Sequence, residues 1–218
     1  MAFPMLDYEL GDAKLKRLDF SCVADFNRYL QTTRSQFYVK DAWLSLAYAA
    51  YLQNNMPEVR RCFDRIKKEG SREADADQEA LRIAEAGILP DKDLLRARLL
   101  NDGGYNDEAL RILKGRALSS FKPGNEQIEY IYRLARIHDE LSDTTEAIEF
   151  YKLTLQQSGK TKAYYPARAA LQLGYIFEAQ KRNDTALMYF NRVLALKGHD
   201  YKNSLDQKAK AAINRIKK

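Results

Sequence analysis

The sequence contains few of the residues that interrupt helices, with 5 prolines and 10 glycines among 218 residues. This scarcity favours long helices, because proline removes a backbone donor and glycine weakens a helix interior. Long apolar runs are also lacking: the longest uncharged one, at 43–52, has about ten residues, and a membrane-spanning helix needs ~20. Hydrophobic residues still make up 45% and charged residues 30%, a composition typical of a globular chain and too apolar for a disordered one.

Residues that carry metal or acid–base chemistry are scarce as well. His138 and His199 are 61 positions apart, and neither has a histidine or glutamate at helical metal-ligand spacing. Cys22 and Cys62 fall in helical segments of apolar periodicity, which is typical of buried thiols. No metal and no cofactor is predicted. No convergent set of polar side chains indicates an enzyme.

The first residues lack the basic segment and apolar run that define a signal peptide. They enter a helical pattern at once, as they would if an upstream segment or leader had been removed. The expectation is a cytoplasmic protein by default, and a periplasmic or exported one stays open. The sequence leaves the oligomeric state open too.

Positive charge is concentrated at one end. The net charge is +6, and residues 201–218 contribute six basic side chains against Asp206 alone. Such a segment is typical of a solvated capping helix, and the alternative is binding to an anionic surface or nucleic acid. The basic side chains are Lys202, Lys208, Lys210, Arg215, Lys217 and Lys218.

Two segments repeat each other at an offset of 39 residues without a gap. The matched positions are Leu134-Ala135 with Leu173-Gly174, Ala147 with Ala186, and Tyr151 with Phe190. Small residues at these places let two antiparallel helices approach closely, and the aromatic residue fills the space toward the next pair. Asp143 and Asp184 lie in the turns, where we expect them to cap the second helices.

This spacing resembles the tetratricopeptide repeat, and three earlier segments fit the pattern less well. The sequence therefore predicts an all-α, tetratricopeptide-like α-solenoid of antiparallel pairs, about twelve helices in one domain over residues 1–218. The predicted pairs cover 6–33, 39–69, 91–118, 124–158 and 164–197, with an extra, unpartnered helix at 75–86 and a capping helix at 204–216. The predicted repeat-packing residues are Gly11, Ala47, Ala97, Ala109, Ala135, Ala147, Gly174 and Ala186.

Residues 94–110 (LLRARLLNDGGYNDEAL) and 199–211 (HDYKNSLDQKAKA) resemble motifs of a narrower group, the tetratricopeptide repeat protein 39 and inclusion body clearance protein family. Residues 10–19 and 38–43 are similar to further stretches of that family in the same order. The resemblance covers the chain from about Leu10 onward and corresponds to the C-terminal part of longer members, with bacterial proteins nearest. It implies a helical repeat scaffold without catalytic residues.

The repeat resemblance also implies a concave groove lined by the first helix of each pair. Groove-facing positions lie one and five residues after the aromatic position of that helix, which gives Leu44 and Tyr48, Leu94 and Arg98, Tyr132 and Arg136, and Leu171 and Tyr175. Tyr51, Arg168 and Gln172 are expected to border them. Tyrosine and arginine are enriched at binding hot spots, and the alternative is that about half of the tyrosines pack between repeats.

These observations predict a non-catalytic scaffold that binds a peptide or partner protein with some negative charge in its groove. Two alternatives remain at this point. The basic C-terminal helix could bind an anionic surface or nucleic acid, although nucleic acid is the less expected partner. The chain could instead be an accessory or regulatory domain of a larger assembly.

Overall fold

The computed structural model describes residues 3–157, 161 and 163–217, which form twelve α-helices and one short 3₁₀ turn. No strand occurs among these residues. The predicted all-α fold with tetratricopeptide-like helix pairs is confirmed. The helices are α1 (Pro4–Lys16), α2 (Cys22–Thr32), α3 (Val39–Leu52), α4 (Met56–Lys68), α5 (Asp75–Ala86), α6 (Lys92–Asp102), α7 (Asn106–Lys114), α8 (Asn125–Glu140), α9 (Thr144–Gln156), α10 (Tyr165–Ala179), α11 (Asn183–Ala195) and α12 (Lys202–Ile216).

The chain forms two compact units, Met1–Tyr105 with α1–α6 and Asn106–Lys218 with α7–α12. The boundary falls inside the predicted pair at 91–118, so its two helices, α6 and α7, belong to different units. Each hydrophobic core lies within one unit: the first core ends at Leu99 and the second begins at Ile128. A single domain over 1–218 stays a prediction.

Five turns share one backbone conformation at the end of the first helix of a pair. Leu18, Asn54, Gly104, Ser142 and Lys181 all have φ between 60° and 82°. In each case the next residue donates its backbone N–H to the carbonyl five residues earlier, at 2.8–2.9 Å. This pattern closes a helix with a left-handed residue. The repeat therefore recurs in the backbone five times, including places where its sequence signal is weak.

The turns are spaced at intervals of 36, 50, 38 and 39 residues. The long interval contains α5, whose 12 residues account for the excess. The sequence predicted an extra helix without a partner in a repeat unit of its own, and in the structure α5 packs on both α3 and α4.

Asp77 of α5 caps the start of α3. Its carboxylate is fully buried and accepts the backbone N–H groups of Tyr38 at 2.7 Å and Asp41 at 3.1 Å. The N-cap residue of α3 makes no such bond with its own side chain. The extra helix thus satisfies donors that a regular repeat would satisfy locally.

Lys40, in the first turn of α3, binds carbonyl groups at the end of α4, the second helix of the same hairpin. Its buried ammonium group donates to the carbonyls of Ile66 and Glu69 at the end of α4, both at 2.6 Å. Burial lowers the pKa of Lys40. The cation lies where a helix C-terminus concentrates negative charge.

The predicted caps at Asp143 and Asp184 are wrong. Asp143 directly precedes α9, but its side chain makes no cap bond, because its Oδ2 lies 3.0 Å from His138 Nδ1. Asp184 lies inside the first turn of α11, because the turn closes at Lys181 and the helix begins at Asn183.

Small residues permit close helix packing in both units, and all eight predicted repeat-packing residues are buried. In α10, a Cβ added to Gly174 would lie 2.4 Å from the ring of Phe190 in α11. In α1, a Cβ added to Gly11 would lie 3.1 Å from Phe26 in α2. The two glycines occupy corresponding places in their hairpins, and the contact at Gly174 is the closer one.

Candidate functional site

One face of α10 in the second unit carries polar and aromatic side chains. Arg168, Gln172, Tyr175 and Glu178 follow one another at helical spacing and are all half-buried, whereas Gly174 on another side of the helix is buried. Pro166 in the first turn of α10 suits a helix start, because it has no N–H to satisfy there. We call these four residues the α10 stripe.

Charged residues of two neighbouring helices lie beside the α10 stripe. Arg215 of α12 binds Glu178 through two hydrogen bonds of 2.8 and 2.6 Å. Arg136 of α8 is half-buried, and its Nη2 lies 3.9 Å from Glu140 Oε1. Both helices pack on α10. The stripe and Arg136 together form a polar face with arginines and carboxylates interspersed.

Tyr132 does not belong to this face, which corrects its predicted role in partner binding. Its side chain is 1% exposed, and its ring contacts those of Tyr151, Tyr164 and Tyr165, with centroids 6.3, 6.1 and 5.2 Å away. Burial raises its pKa, and the charge of Arg136 is among those that oppose the rise. Tyr132 is a core residue of the second unit.

Tyr164 and Tyr201 extend this aromatic cluster to the surface and were not predicted. Tyr164 is half-buried, Tyr201 is exposed, and their rings meet edge to face with centroids 5.4 Å apart. Both residues lie just before a helix and outside any helical period. The doublet Tyr164-Tyr165 was the only sequence signal for them.

Two of the three predicted site residues of the first unit contact each other, and the third bonds the backbone elsewhere in the unit. The guanidinium of Arg98 lies over the ring of Tyr48, 5.2 Å from its centroid. Tyr48 is buried, so its predicted contact with a partner is corrected in the same way as that of Tyr132. Tyr51 is half-buried and donates its hydroxyl to the Pro90 carbonyl at 3.0 Å. Arg98 and Tyr51 remain partly accessible.

Each unit also has an open cavity. The one in the first unit measures about 760 Å³ and is lined by Met5, Tyr29, Phe37 and Tyr38, among others. Its lining is mainly apolar, which suits binding and offers no acid–base pair. The thiols of the same unit are buried, and burial raises the pKa of Cys22 and Cys62 to about 12, which disfavours the thiolate form.

A cavity in the second unit measures about 470 Å³ and contains the His138–Asp143 pair, with the imidazole stacked on Phe150. Lys114 and Glu146 are among the other lining residues. No serine, threonine or cysteine occurs among the described residues that line it. The pair joins α8 to the turn before α9.

Residues 128–158 and 167–200 match the tetratricopeptide repeat family. The matched segments contain most of the hairpins α8/α9 and α10/α11, which form the α10 stripe and its surroundings. No curated protein matches the chain. The second unit therefore contains two tetratricopeptide repeats, a type of fold that commonly mediates contacts between proteins and is typically non-catalytic.

No helix in the described ranges is long and apolar enough to cross a membrane. Within the same ranges, no group of three or more histidine, cysteine, aspartate or glutamate residues is arranged to hold a metal ion.

Proposed function

We propose that the protein is a non-catalytic interaction scaffold that binds a peptide or helix of a partner protein on the α10 stripe. The observation that carries the proposal is the stripe itself. Arg168, Gln172 and Tyr175 expose polar and aromatic groups along one face, and Arg136 lies on the neighbouring helix. Arginine and tyrosine combine contact area with polar tips, which suits recognition of an extended segment.

The charges of this face favour a partner of mixed polarity with acidic groups. Arg215 is already bound to Glu178 at 2.6 Å, so the stripe ends in a neutral pair. Arg168 stands at the other end of the stripe, one helical turn before Gln172. We infer that acidic side chains of the partner approach Arg168 and Arg136, and that an apolar side chain contacts Tyr175.

The test compares two double variants of equal chemical severity. Arg168→Glu with Tyr175→Ala changes the stripe, and Lys152→Glu with Met188→Ala changes exposed residues of the second helices of the same repeats. Proteins captured from host cells by the unaltered chain should be retained by the second variant and lost by the first. The segment responsible is then synthesised, and its Kd should rise at least tenfold for the stripe variant.

Far-UV circular dichroism of both variants must match the unaltered chain, because Tyr175 also packs edge to face on Phe190 with centroids 5.4 Å apart. Gln172→Ala, a milder change without that contact, should weaken the same segment in the same direction. Equal capture by both double variants would mean that the stripe is not the binding site.

A second candidate function rests on the basic helix α12. Lys208, Lys210 and Lys217 are exposed, whereas Lys202 is paired with Asp206 and Arg215 with Glu178. Exposed lysines would bind an anionic surface or nucleic acid with steep salt dependence. Lys208→Glu with Lys210→Glu should then abolish binding to labelled DNA or to anionic vesicles. Weak binding that is unchanged by these substitutions would exclude this function.

The narrower resemblance to the tetratricopeptide repeat protein 39 and inclusion body clearance protein family, with a bacterial origin, stays a hypothesis. It rests on residues 94–110 and 199–211. We transfer no cellular process on this basis. An absence of catalytic activity is part of the same proposal, and so is the alternative of an accessory domain in a larger assembly. Co-purification as a constant component of one enzyme complex would favour the accessory role.

A further inference from the structure

Arg168, at the start of the α10 stripe, is a half-buried cation without a nearby carboxylate. No aspartate or glutamate of the described ranges pairs with its guanidinium group. Three other arginines beside the stripe each have a carboxylate partner, in the pairs Arg133–Glu129, Arg136–Glu140 and Arg215–Glu178. A charge that is partly removed from water is costly unless an opposite charge meets it. Arg168 therefore offers a positive charge that the described structure does not neutralise.

Arg136 of α8 carries a second positive charge close to Arg168. Helices α8 and α10 pack on each other. Burial raises the pKa of Tyr132 in α8, and the charges of Arg136 and Arg168 both oppose that rise. Charges more than about 10 Å apart are largely screened, so both guanidinium groups lie near the Tyr132 side chain. We call Arg136 and Arg168 the arginine pair.

The first unit carries the opposite charge at the same repeat positions. The first helices are aligned on their small residues, which are Gly11 and Ala47 in the first unit and Ala135 and Gly174 in the second. The matched side chains are then Tyr8, Asp12 and Asp41 in the first unit, and Tyr132, Arg136 and Arg168 in the second. In the first unit the carboxylates are bound locally, because Asp41 accepts the hydroxyl of Tyr8 at 2.5 Å and Asp12 pairs with Lys16. The second unit presents cations at these positions instead.

Two glutamates of α8 lie near the arginine pair, and neither neutralises Arg168. Glu129 is bound to Arg133, whose Nε and Nη2 both lie 3.2 Å from its Oε1, and both side chains are buried. Glu140 lies 3.9 Å from Arg136 Nη2, and its side chain is 55% exposed. An exposed pair at this distance contributes little, so it yields to a stronger acceptor. The charge of Arg168 therefore remains, and Arg136 can add to it.

Neutral donors flank Arg168 along the same side of the chain. Tyr164 precedes it by four residues and Gln172 follows it by four, and both are half-buried. The ring of Tyr164 also packs edge to face on Tyr132, with centroids 6.1 Å apart, which fixes its place beside α8. A hydroxyl and an amide can both donate to an anionic oxygen. The site thus combines two guanidinium groups with two neutral donors.

This set of donors suits a phosphate monoester better than a carboxylate. A phosphorylated side chain carries about −1.5 to −2 charges near pH 7 and three strong acceptor oxygens. A carboxylate has a single charge and two oxygens, which one guanidinium fork can bind on its own. Two forks from neighbouring helices can share the three oxygens of a phosphoryl group. The acidic positions of the first unit would repel the same group, so the site is confined to the second unit.

We propose that the arginine pair binds a phosphoryl group carried by a serine, threonine or tyrosine side chain of the segment that occupies the α10 stripe. The inference rests on the proposed function, because the remainder of the segment lies along Gln172 and Tyr175. The anionic group that the proposed function places at these arginines is then a phosphorylated side chain. Phosphorylation of the partner switches its binding to the stripe on.

The test measures how well the immobilised full chain retains three pools of short peptides. The central residue is fixed and the others are randomised: the first pool has phosphorylated serine, threonine or tyrosine, the second the same residues unmodified, and the third aspartate or glutamate. The first pool should be retained at least tenfold better than either of the others. Arg168→Gln and Arg136→Gln should each remove this preference, and Arg111→Gln, which changes an exposed arginine of α7 in the same unit, should keep it.

The far-UV circular dichroism of Arg168→Gln should equal that of the unaltered chain, because no ion pair within the described ranges is lost. Equal retention of the phosphorylated and acidic pools would overturn the inference, since any anion would then suffice. A preference for the phosphorylated pool that survives Arg168→Gln would overturn it too, as would no retention of any pool. Binding of inorganic phosphate alone, without selective retention of the phosphorylated pool, would define a site for free phosphate and contradict the proposal.

A second measurement separates this inference from the proposed function. Phosphatase treatment of the host extract should abolish the capture of partner proteins by the unaltered chain. If capture survives the treatment and is still lost with Arg168→Glu and Tyr175→Ala, the α10 stripe binds an unphosphorylated partner. In that case the phosphoryl inference falls and the proposed function stands.

Discussion

At the scale of single residues, close helix packing depends on Gly174 and Gly11, which differ in how closely an aromatic ring of the facing helix approaches them. An alanine at Gly174 would place its Cβ 2.4 Å from a fully buried ring, and one at Gly11 would place it 3.1 Å from Phe26. Real Cβ contacts are never as short as the first distance, whereas the second requires a shift of only a few tenths of an ångström. Alanine also favours the helix by about 0.5–1 kcal/mol relative to glycine.

Gly174→Ala should therefore lower the free energy of unfolding by about 1–3 kcal/mol, because overpacking outweighs the gain in helix propensity. Gly11→Ala serves as the matched control and should change it by less than about 1 kcal/mol. Urea unfolding followed by circular dichroism measures both. Equal effects would mean that the ring of Phe190 can move aside.

Two carboxyls of the first unit, those of the buried Asp25 and the half-buried Asp41, should respond to pH in opposite directions. Tyr8 donates its hydroxyl to Asp41 at 2.5 Å, but burial raises the pKa of Asp41. At Asp25, burial alone would raise the pKa. The hydrogen bonds from Lys14 and Arg28 outweigh burial, so the pKa of Asp25 lies below its usual range. The charged form is thus disfavoured at Asp41 and favoured at Asp25.

A raised folded-state pKa means that stability is lost as pH rises above the ordinary value of about 3.9. Asp41→Asn should therefore become more favourable, relative to the unaltered chain, as the pH rises from about 4, and the gain should level off above the folded-state pKa of Asp41. Asp25→Asn should show the reverse, with its cost greatest at neutral pH and diminishing as the solution is acidified. The measurement is urea unfolding at several pH values. A pH-independent effect of Asp41→Asn would contradict the assignment.

The burial of Tyr132 could not be read from residue spacing. Its position in α8 is the one that faces the groove in a regular repeat, and the spacing rule gave no reason to treat it otherwise. Its contacts come from Tyr164 and Tyr165, which lie more than 30 positions later and outside the helical period. The other members of the predicted site in this unit, Arg136, Arg168, Gln172 and Tyr175, are half-buried.

At the scale of helices and turns, the sequence was most informative where apolar and small residues recur at helical spacing. Those residues decide which helix faces meet, so the helices and their pairing could be predicted. The turn conformation could not, because Leu18, Asn54, Ser142 and Lys181 occupy a left-handed conformation that usually indicates glycine. The caps were mispredicted for a related reason: the side chain of Asp143 bonds His138 instead of the backbone.

Only one of the five left-handed turn positions is glycine, at Gly104. A non-glycine residue in this conformation costs roughly 1–2 kcal/mol. Glycine avoids that cost but loses more conformational entropy on folding, which costs it about 0.5–1 kcal/mol. Lys181→Gly should therefore raise the free energy of unfolding by about 0.5–1 kcal/mol. Gly104→Ala should lower it by a similar amount, because no atom lies within 4 Å of the added Cβ and only the backbone term acts. Thermal and urea unfolding check both signs, and two changes of the same sign would refute the argument.

At the scale of the whole molecule, the two cores share no residue, because the first ends at Leu99 and the second begins at Ile128. A unit with its own core is expected to fold alone. A fragment of residues 106–218 should therefore be helical and unfold in one cooperative transition, measured by circular dichroism. An unfolded fragment, together with a single transition of the intact chain, would instead support the single domain that the sequence predicted.

The position of Asp77 has a consequence for any attempt to shorten this chain by removing α5. A 12-residue helix that lengthens one repeat interval looks removable, since the remaining intervals would then be nearly even. Excision would, however, take away the only carboxylate that meets the first N–H groups of α3 in the described structure. A redesigned chain without α5 would therefore need a new acceptor for the N–H groups at the start of α3.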